Sequence, residues 1–187
     1  MSKRLKPNDF PRFMADFETL TGKDVIDETY VWASGVCSID NPYNDNYLKI
    51  WNSDEPLYEF LSQFRFCECY FHNLKFDGHF ILTYLENHGY VYDEDLSREK
   101  SYSTLITGEG QWYMIRVRWM DGEKGVTTKT VRRKLKDGTI KEYQSKEKRK
   151  NRQSDKRITE FRDSLKKITL PLRDIPKAYG IPMNKLT

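Results

Sequence analysis

Two short segments constrain this chain more than anything else in it. Asp16-Phe17-Glu18-Thr19 sets two carboxylates at alternate positions of an apolar run. Tyr70-Phe71-His72-Asn73-Leu74-Lys75-Phe76-Asp77-Gly78 sets an amide and a third carboxylate where a second apolar run gives way to helical spacing. Strand side chains alternate between faces, so Asp16 and Glu18 share one face while Ala15 and Phe17 enter the opposite layer. Asp77 then approaches from a neighbouring strand end. Taken singly, each element is ordinary: Asp-x-Glu is common on strand edges, and an Asp at a helix start is usually a cap. Three acids converging on one place have few stable uses, and holding divalent cations is the main one.

Mg²⁺ or Mn²⁺ at such a site takes carboxylate oxygens and keeps several waters. Two ions ~3.5–4 Å apart can activate a water and stabilise the departing oxygen of a phosphodiester. On this reading Asp16, Glu18 and Asp77 are both the metal ligands and the catalytic residues. Asp16 bridges the ions, Glu18 holds the one carrying the attacking water, and Asp77 binds directly or through water.

At 187 residues the chain is expected to form one domain with a sizeable core. Residues 1–12 read as a lead-in, and 13–187 as an α/β domain with a basic insertion at 124–157. Aromatic residues make up 14% and are spread along the chain, which excludes wholesale disorder. The formal charge of +4 conceals an asymmetry. From Lys124 to Arg157 there are fourteen Lys/Arg and four Asp/Glu, a local +10, so the remainder carries −6. An acidic body with one basic arm suits a protein that holds cations at a site and nucleic acid along a patch. The arm itself reads as a solvated face, or as a backbone-tracking arm for DNA or for a partner protein.

Cys37, Cys67 and Cys69 are an odd count, and no signal-peptide pattern precedes them, which points to a reducing cytosol. Cys67 and Cys69 lie in a strand-like run with no second pair at zinc spacing, so both are expected to pack in the core. No stretch approaches the ~18 apolar residues of a membrane helix.

Pattern and turn chemistry predict strands over Phe13–Thr19, Thr29–Ile39, Tyr47–Trp51 and Phe66–Phe71. A helix capped by Ser53 or Asp54, with Pro56 in its first turn, precedes the fourth strand. A second helix opens at Asp77, buries Phe80, Ile81, Tyr84, Leu85 and His88, and ends at Gly89. His88 is also placed to meet the helix's final carbonyls. Tyr102–Thr107 and Gln111–Met120 form a hairpin, as do Val126–Leu135 and Thr139–Tyr143, with Asp121-Gly122 and Asp137-Gly138 as turns. Ser145–Lys156 reads as a solvated excursion, Ile158–Leu165 as a strand and Pro171–Tyr179 as a short final helix. The order implies a mixed sheet flanked by helices.

Asp16-Phe17-Glu18-Thr19 resembles the first exonuclease motif of proofreading DNA polymerases. Tyr70 to Gly78 resembles the second, in the form found in protein-primed family B polymerases of bacteriophages. Gly110-Gln111-Trp112-Tyr113-Met114-Ile115 and Asp163-Ser164-Leu165-Lys166-Lys167 resemble further stretches of that exonuclease domain, in the same order. The resemblance spans roughly Phe13 to Pro182. It implies a ribonuclease-H-like fold and 3′→5′ exonuclease chemistry on single-stranded DNA, with two Mg²⁺ or Mn²⁺ ions. It also implies single-strand contacts at Thr19, His72, Asn73, Phe76, Phe80, Ser164 and Leu165. Phe76 and Phe80 offer faces for base stacking, although Phe80 also sits on its helix's apolar stripe. His79 is expected to face solvent.

The family's third motif, Tyr-x-x-x-Asp, supplies a fourth carboxylate and a tyrosine that orients water; it has no counterpart in this sequence. Tyr143 and Glu147 have the spacing but fall in the charged excursion. The polymerase palm motifs are likewise missing. The expectation is a polymerase portion or a truncated homologue with weak or no nuclease activity alone, because a misplaced water costs orders of magnitude in rate. The rival reading is a non-catalytic module that binds nucleic acid or protein.

Overall fold

Alternating apolar and polar residues in the first strand set the layering of the whole molecule. A computed structural model describes residues 10–21, 29–41, 48–120, 128–134, 140–146 and 156–180. Strand β1 spans Arg12–Thr21, β2 Thr29–Ser38 and β3 Lys49–Trp51. Helix α1 (Glu55–Leu61) leads to β4 (Phe66–Phe71), and α2 (Leu74–Asn87) follows. Next come β5 (Val91–Tyr92), β6 (Ser101–Ile106) and β7 (Trp112–Arg118). Strands β8 (Thr128–Lys134) and β9 (Ile140–Lys146) precede β10 (Ile158–Asp163). A 3-10 turn at Ser164–Lys166 and another at Leu172–Asp174 lead into α3 (Ile175–Tyr179).

The main sheet has eight strands in the order β3-β2-β1-β4-β10-β7-β6-β5. Its centre is a parallel trio, β1, β4 and β10, flanked by antiparallel partners. This is the mixed α/β, ribonuclease-H-like sheet that the sequence implied. Strands β8 and β9 form a separate antiparallel ribbon.

One face of the sheet carries the core. Phe13, Ala15 and Phe17 of β1, Cys67, Cys69 and Phe71 of β4, Phe161 of β10, and Ile115 and Val117 of β7 meet α1 and α2 there. Helix α1 contributes Leu57, Tyr58, Phe60 and Leu61, and α2 contributes Leu74, Ile81 and Leu85. Aromatic edges interlock across it: Phe17 lies 5.0 Å from Phe71 and 6.3 Å from Tyr58 between ring centroids. Both cysteines of the Cys67-x-Cys69 pair are fully buried and pack as small apolar groups.

The opposite face is charged. Arg162 pairs with Glu160 and with Glu68, the latter at 3.2 Å, and Arg116 lies 3.7 Å from Glu160. This ladder of alternating charge neutralises the outer middle of the sheet. It leaves the acids at the strand ends as a distinct electrostatic feature.

Several boundaries depart from expectation. Helix α2 begins at Leu74, not Asp77, because Asn73 adopts the left-handed conformation (φ 68°, ψ 59°) and turns the chain directly out of β4. His88 is exposed instead of part of the buried stripe; its Nδ1 lies 2.8 Å from the Tyr84 carbonyl, and its ring stacks on Tyr84. Phe80 and Tyr84 are half-buried. β5 was not anticipated, being too short to show a pattern. The tenth strand stops at Asp163, whose carboxylate accepts from the Leu165 N–H and caps the following turn. The dipeptides Asp121-Gly122 and Asp137-Gly138, the lead-in up to Asp9 and most of the Ser145–Lys156 excursion lie outside the described residues.

Candidate active site

Three parallel strands run toward one end of the sheet, and their pairing stops there in stages. The β1–β4 ladder ends at Met14 and Tyr70, so Asp16 and Glu18 continue past the last paired residues. The β4–β10 ladder ends at Phe71 and Asp163. A register shift between Glu18 and Thr19 interrupts the β1–β2 ladder close to the same place. The result is a crevice outside the carboxyl ends of parallel strands, where open α/β sheets place their ligands.

Strand alternation puts Asp16 and Glu18 on the open face and Ala15 and Phe17 in the core, as expected. Asp77 lies in the first turn of α2 and is 3% exposed. It is held down because the next residue, Gly78, presses α2 onto β7. A Cβ at Gly78 would stand 2.6 Å from Cζ3 and 2.8 Å from Cε3 of Trp112. Trp112 is itself buried and cannot retreat without disturbing β7. Gly78→Ala is therefore expected to destabilise the protein by about 1–3 kcal/mol despite alanine's better helix propensity, as read by denaturant unfolding.

The electrostatics connect the acids into a chain. Burial, then the Asp16 carboxylate, then Asp163 push Asp77 up to about 7. The pKa of Asp16 is raised as well, first by burial and then by Glu18, with His72 opposing. Asp16 is thus coupled electrostatically to Glu18 on its own strand and to Asp77 on α2.

Carboxylates that hinder one another's ionisation match the donor chemistry of a hard divalent cation, which would relieve that repulsion. Among the described residues, no group of three Cys, His, Asp or Glu side chains stands close enough to hold an ion alone. The donors of the described residues therefore supply part of a cage and not a closed one.

Behind the acids, the turn after β4 is braced to the turn after β10. Asp163 Oδ1 accepts from the backbone N–H of Asn73 at 3.1 Å and from that of Leu165 at 2.9 Å. His72 Nε2 donates to the Leu170 carbonyl at 3.0 Å, because a carbonyl can only accept. In the neutral ring Nδ1 is then an acceptor, and the Ser164 hydroxyl, 3.1 Å away, donates to it. Both ring nitrogens of His72 are engaged within the protein, and Ser164 is buried.

The other residues singled out in the sequence spread around the rim. Asn73 is exposed, and its side chain does not cap its own helix. Phe76 is 49% exposed and meets Phe80 edge-on at 5.6 Å, while Phe80 in turn touches Phe17 of the core. Thr19 sits half-buried at the register shift, and Leu165 is half-buried beyond Asp163. His79 is exposed on α2, with its ring 4.9 Å from that of Trp112.

Sequence reasoning missed Asp163 as a site residue, although it quoted the stretch that contains it. It also passed over Lys166 and Lys167 on the same turn. Lys167 Nζ donates to the Tyr70 hydroxyl at 3.1 Å, and Lys166 Nζ lies 5.4 Å from the Tyr113 ring centre. A signal was present: an Asp ending an apolar strand, followed by Ser and two lysines, is both a cap and a basic rim.

No protein-family model matches the chain. Among individual proteins, it is 35% identical over 173 residues to the DNA polymerases of Bacillus phages B103 and Nf, and 31% identical to that of Bacillus phage phi29. Each alignment covers 92% of this chain and 24% of the relative, so the chain spans about a quarter of the length of the curated relatives it matches. The fold is similar to phi29 DNA polymerase complexed with single-stranded DNA, with a TM-score of 0.68 and 27% identity. That match covers 95% of this chain and 25% of the other. Phi29 DNA polymerase complexed with primer-template DNA and incoming nucleotides gives the same TM-score and identity, covering 95% and 24%. Sequence and fold agree, and the chain is a homologue of the N-terminal region of phi29-type phage DNA polymerases.

Proposed function

We propose that this chain is the exonuclease portion of a phage DNA polymerase and that its crevice hydrolyses the 3′ end of single-stranded DNA. The observation that carries the reading is the electrostatic coupling of Asp16, beyond the last paired residues of β1 and β4, to the buried Asp77, whose pKa is raised to about 7. Three further features support it. The acids lie where an open sheet receives ligands, aromatic faces and amides line the rim, and phi29 DNA polymerase, which this fold resembles, is known in complex with single-stranded DNA.

Asp16, Glu18 and Asp77 would hold the divalent ions. Bound there, Mg²⁺ or Mn²⁺ would supply a water activated at neutral pH and a positive charge for the departing oxygen. The remaining work falls to the protein's own groups. Phe76 presents a half-exposed ring for a terminal base, and stacking of this kind is worth ~1–3 kcal/mol per base without reading sequence. Asn73 and Thr19 can bond sugar or phosphate oxygens, which positions a strand without selecting one, while the buried Ser164 hydroxyl is committed to His72 and braces the turn behind them. Phe80 buttresses Phe76 from the core side. His72 acts through Ser164, whose hydroxyl it orients.

One observation favours a second reading, a DNA-binding module that does not cut. The described residues do not assemble three donors close enough for an ion. Both readings meet in one assay. The purified chain is incubated with 5′-labelled single-stranded DNA and Mg²⁺ or Mn²⁺, beside the Asp16→Ala/Glu18→Ala variant. The enzyme reading predicts slow shortening from the 3′ end that the variant lacks entirely. Equal, metal-independent binding by both proteins, with no shortening at high enzyme concentration, would favour the module. A terminal priming protein as partner and the link to protein-primed replication belong to the same proposal and rest on the resemblance alone.

A further inference from the structure

Among the described residues, strands β8 and β9 pair with each other and share no ladder with the eight-stranded sheet. An isolated two-stranded ribbon is marginally stable in water and usually needs an apolar face against something else. This one has the opposite composition. Its fourteen residues include Lys129, Arg132, Arg133, Lys134, Lys141 and Lys146, against the single acid Glu142. The register sets Arg133 directly opposite Lys141, and like charges at opposed positions destabilise a ladder. Only Arg132 has an acid opposite it, Glu142. Sequence and register thus concentrate like charge along the ribbon, and a polyanion laid along it would offset that charge.

The surrounding chain makes the contrast sharper. The segment from Lys124 to Arg157 carries +10 while the remainder carries −6. The ribbon is inserted between β7 and β10, whose paired ends at that junction are Arg118 and Ile158. Asp163, beside the acidic crevice, lies at the other end of β10. The strand ends that lead toward the ribbon, Arg118 of β7 and Ile158 of β10, therefore lie at the opposite end of the sheet from Asp163.

We propose that the β8–β9 ribbon is a nucleic-acid contact separate from the crevice, gripping the sugar-phosphate backbone without reading sequence. It goes beyond the hydrolytic reading and does not require the crevice to cut anything. Flexible cations on a two-stranded ribbon match the regular negative charge of a polynucleotide, and binding by release of condensed counterions is steeply salt-dependent. A ribbon of this width also suits a duplex groove, so single strand and duplex share the recognised chemistry.

The test neutralises the ribbon without shortening it, as Arg132→Gln/Arg133→Gln/Lys134→Gln/Lys141→Gln. Affinity for a labelled oligonucleotide of about 30 residues is measured by fluorescence anisotropy across a KCl series. A control of Arg65→Gln/Arg98→Gln/Arg173→Gln/Lys177→Gln removes the same charge elsewhere. The expected result is at least a ~10-fold loss near 0.1 M salt and a salt slope shallower by up to about 3 in the ribbon variant. The control should change far less. Run on a single strand and on a duplex, the arm with the larger ribbon-dependent loss names the form held. Affinity and slope equal to the parent on both forms, or equal losses in ribbon variant and control, would overturn the proposal. Circular dichroism and thermal unfolding check that the variant's body is intact. Failure of cleavage alongside ribbon-dependent affinity would sink the nuclease and leave this inference standing.

Discussion

Asp77→Asn is expected to stabilise the cation-free protein by roughly 2–4 kcal/mol at pH 8 and by little at pH 4. Asp77 is 3% exposed, and burial with the charges of Asp16 and Asp163 raises its pKa from 3.8 to about 7. An acid raised in this way binds more protons in the folded chain than in the unfolded one. Stability contributed by the protonated form is full below the unfolded pKa, falls as pH climbs from about 4 to about 7, and stays lost above that. The amide cannot ionise, so the variant avoids that fall while keeping an acceptor oxygen. Divalent ions should reverse the ranking. Millimolar Mg²⁺ or Mn²⁺ stabilises the parent by mass action, and the variant should gain much less. Because proton and metal compete for one carboxylate, the parent's response should also weaken below pH 7. Urea unfolding at pH 4 and pH 8, with and without Mn²⁺, reads all four corners. No stabilisation at pH 8 would show that Asp77 ionises at its ordinary pH.

The second large effect concerns the brace behind the acids. Asp163→Ala removes the acceptor shared by the Asn73 and Leu165 N–H groups, and losing such partners costs ~1–3 kcal/mol each where the groups are buried. A net loss of roughly 2–4 kcal/mol is expected, together with weaker single-strand binding, because both turns then lose their registration. Asp163→Asn keeps an oxygen in place and should retain most of both. It should also lower the Asp77 pKa, since Asp163 is one of the charges that raise it. Carboxyl ¹³C titration of Asp77 in the asparagine variant separates this charge effect from loss of the brace. A purely structural role would leave that pKa unmoved.

The parts of this molecule that the sequence made legible are those governed by local rules. Alternation placed Asp16 and Glu18 on one face of β1 and Phe17 on the other, because a strand has no other way to arrange them. The strand at Phe66–Phe71 and the hairpin of β6 and β7 followed from apolar runs and glycine-rich turns. The start of α2 did not. Helical periodicity is visible only once the apolar stripe begins, and it says nothing of the left-handed Asn73 that brings the helix in at Leu74. Asp163 was hidden for a different reason. Its capping of Leu165 is local, but its bond to Asn73 spans 90 positions and exists only after β4 and β10 pair. His72 shows the same limit: its motif suggested a nucleic-acid contact, while the folded chain engages both its nitrogens with Ser164 and Leu170.

The raised pKa of Asp77 could not be read from the sequence either. It depends on the burial enforced by Gly78 against Trp112 and on two acids brought in from β1 and β10. Motif spacing names the carboxylates, whereas packing decides how reluctantly they ionise.

The account turns on Asp16 and Asp77 sharing a divalent ion at the open ends of the parallel strands. Crystals of the chain soaked in Mn²⁺, with data collected at the manganese absorption edge, test it directly. An anomalous peak bridging carboxylate oxygens of Asp16 and Asp77, with Glu18 reaching the same centre directly or through water, is the predicted result. A crevice without manganese at saturating concentration, with the two carboxylates turned apart, would contradict it.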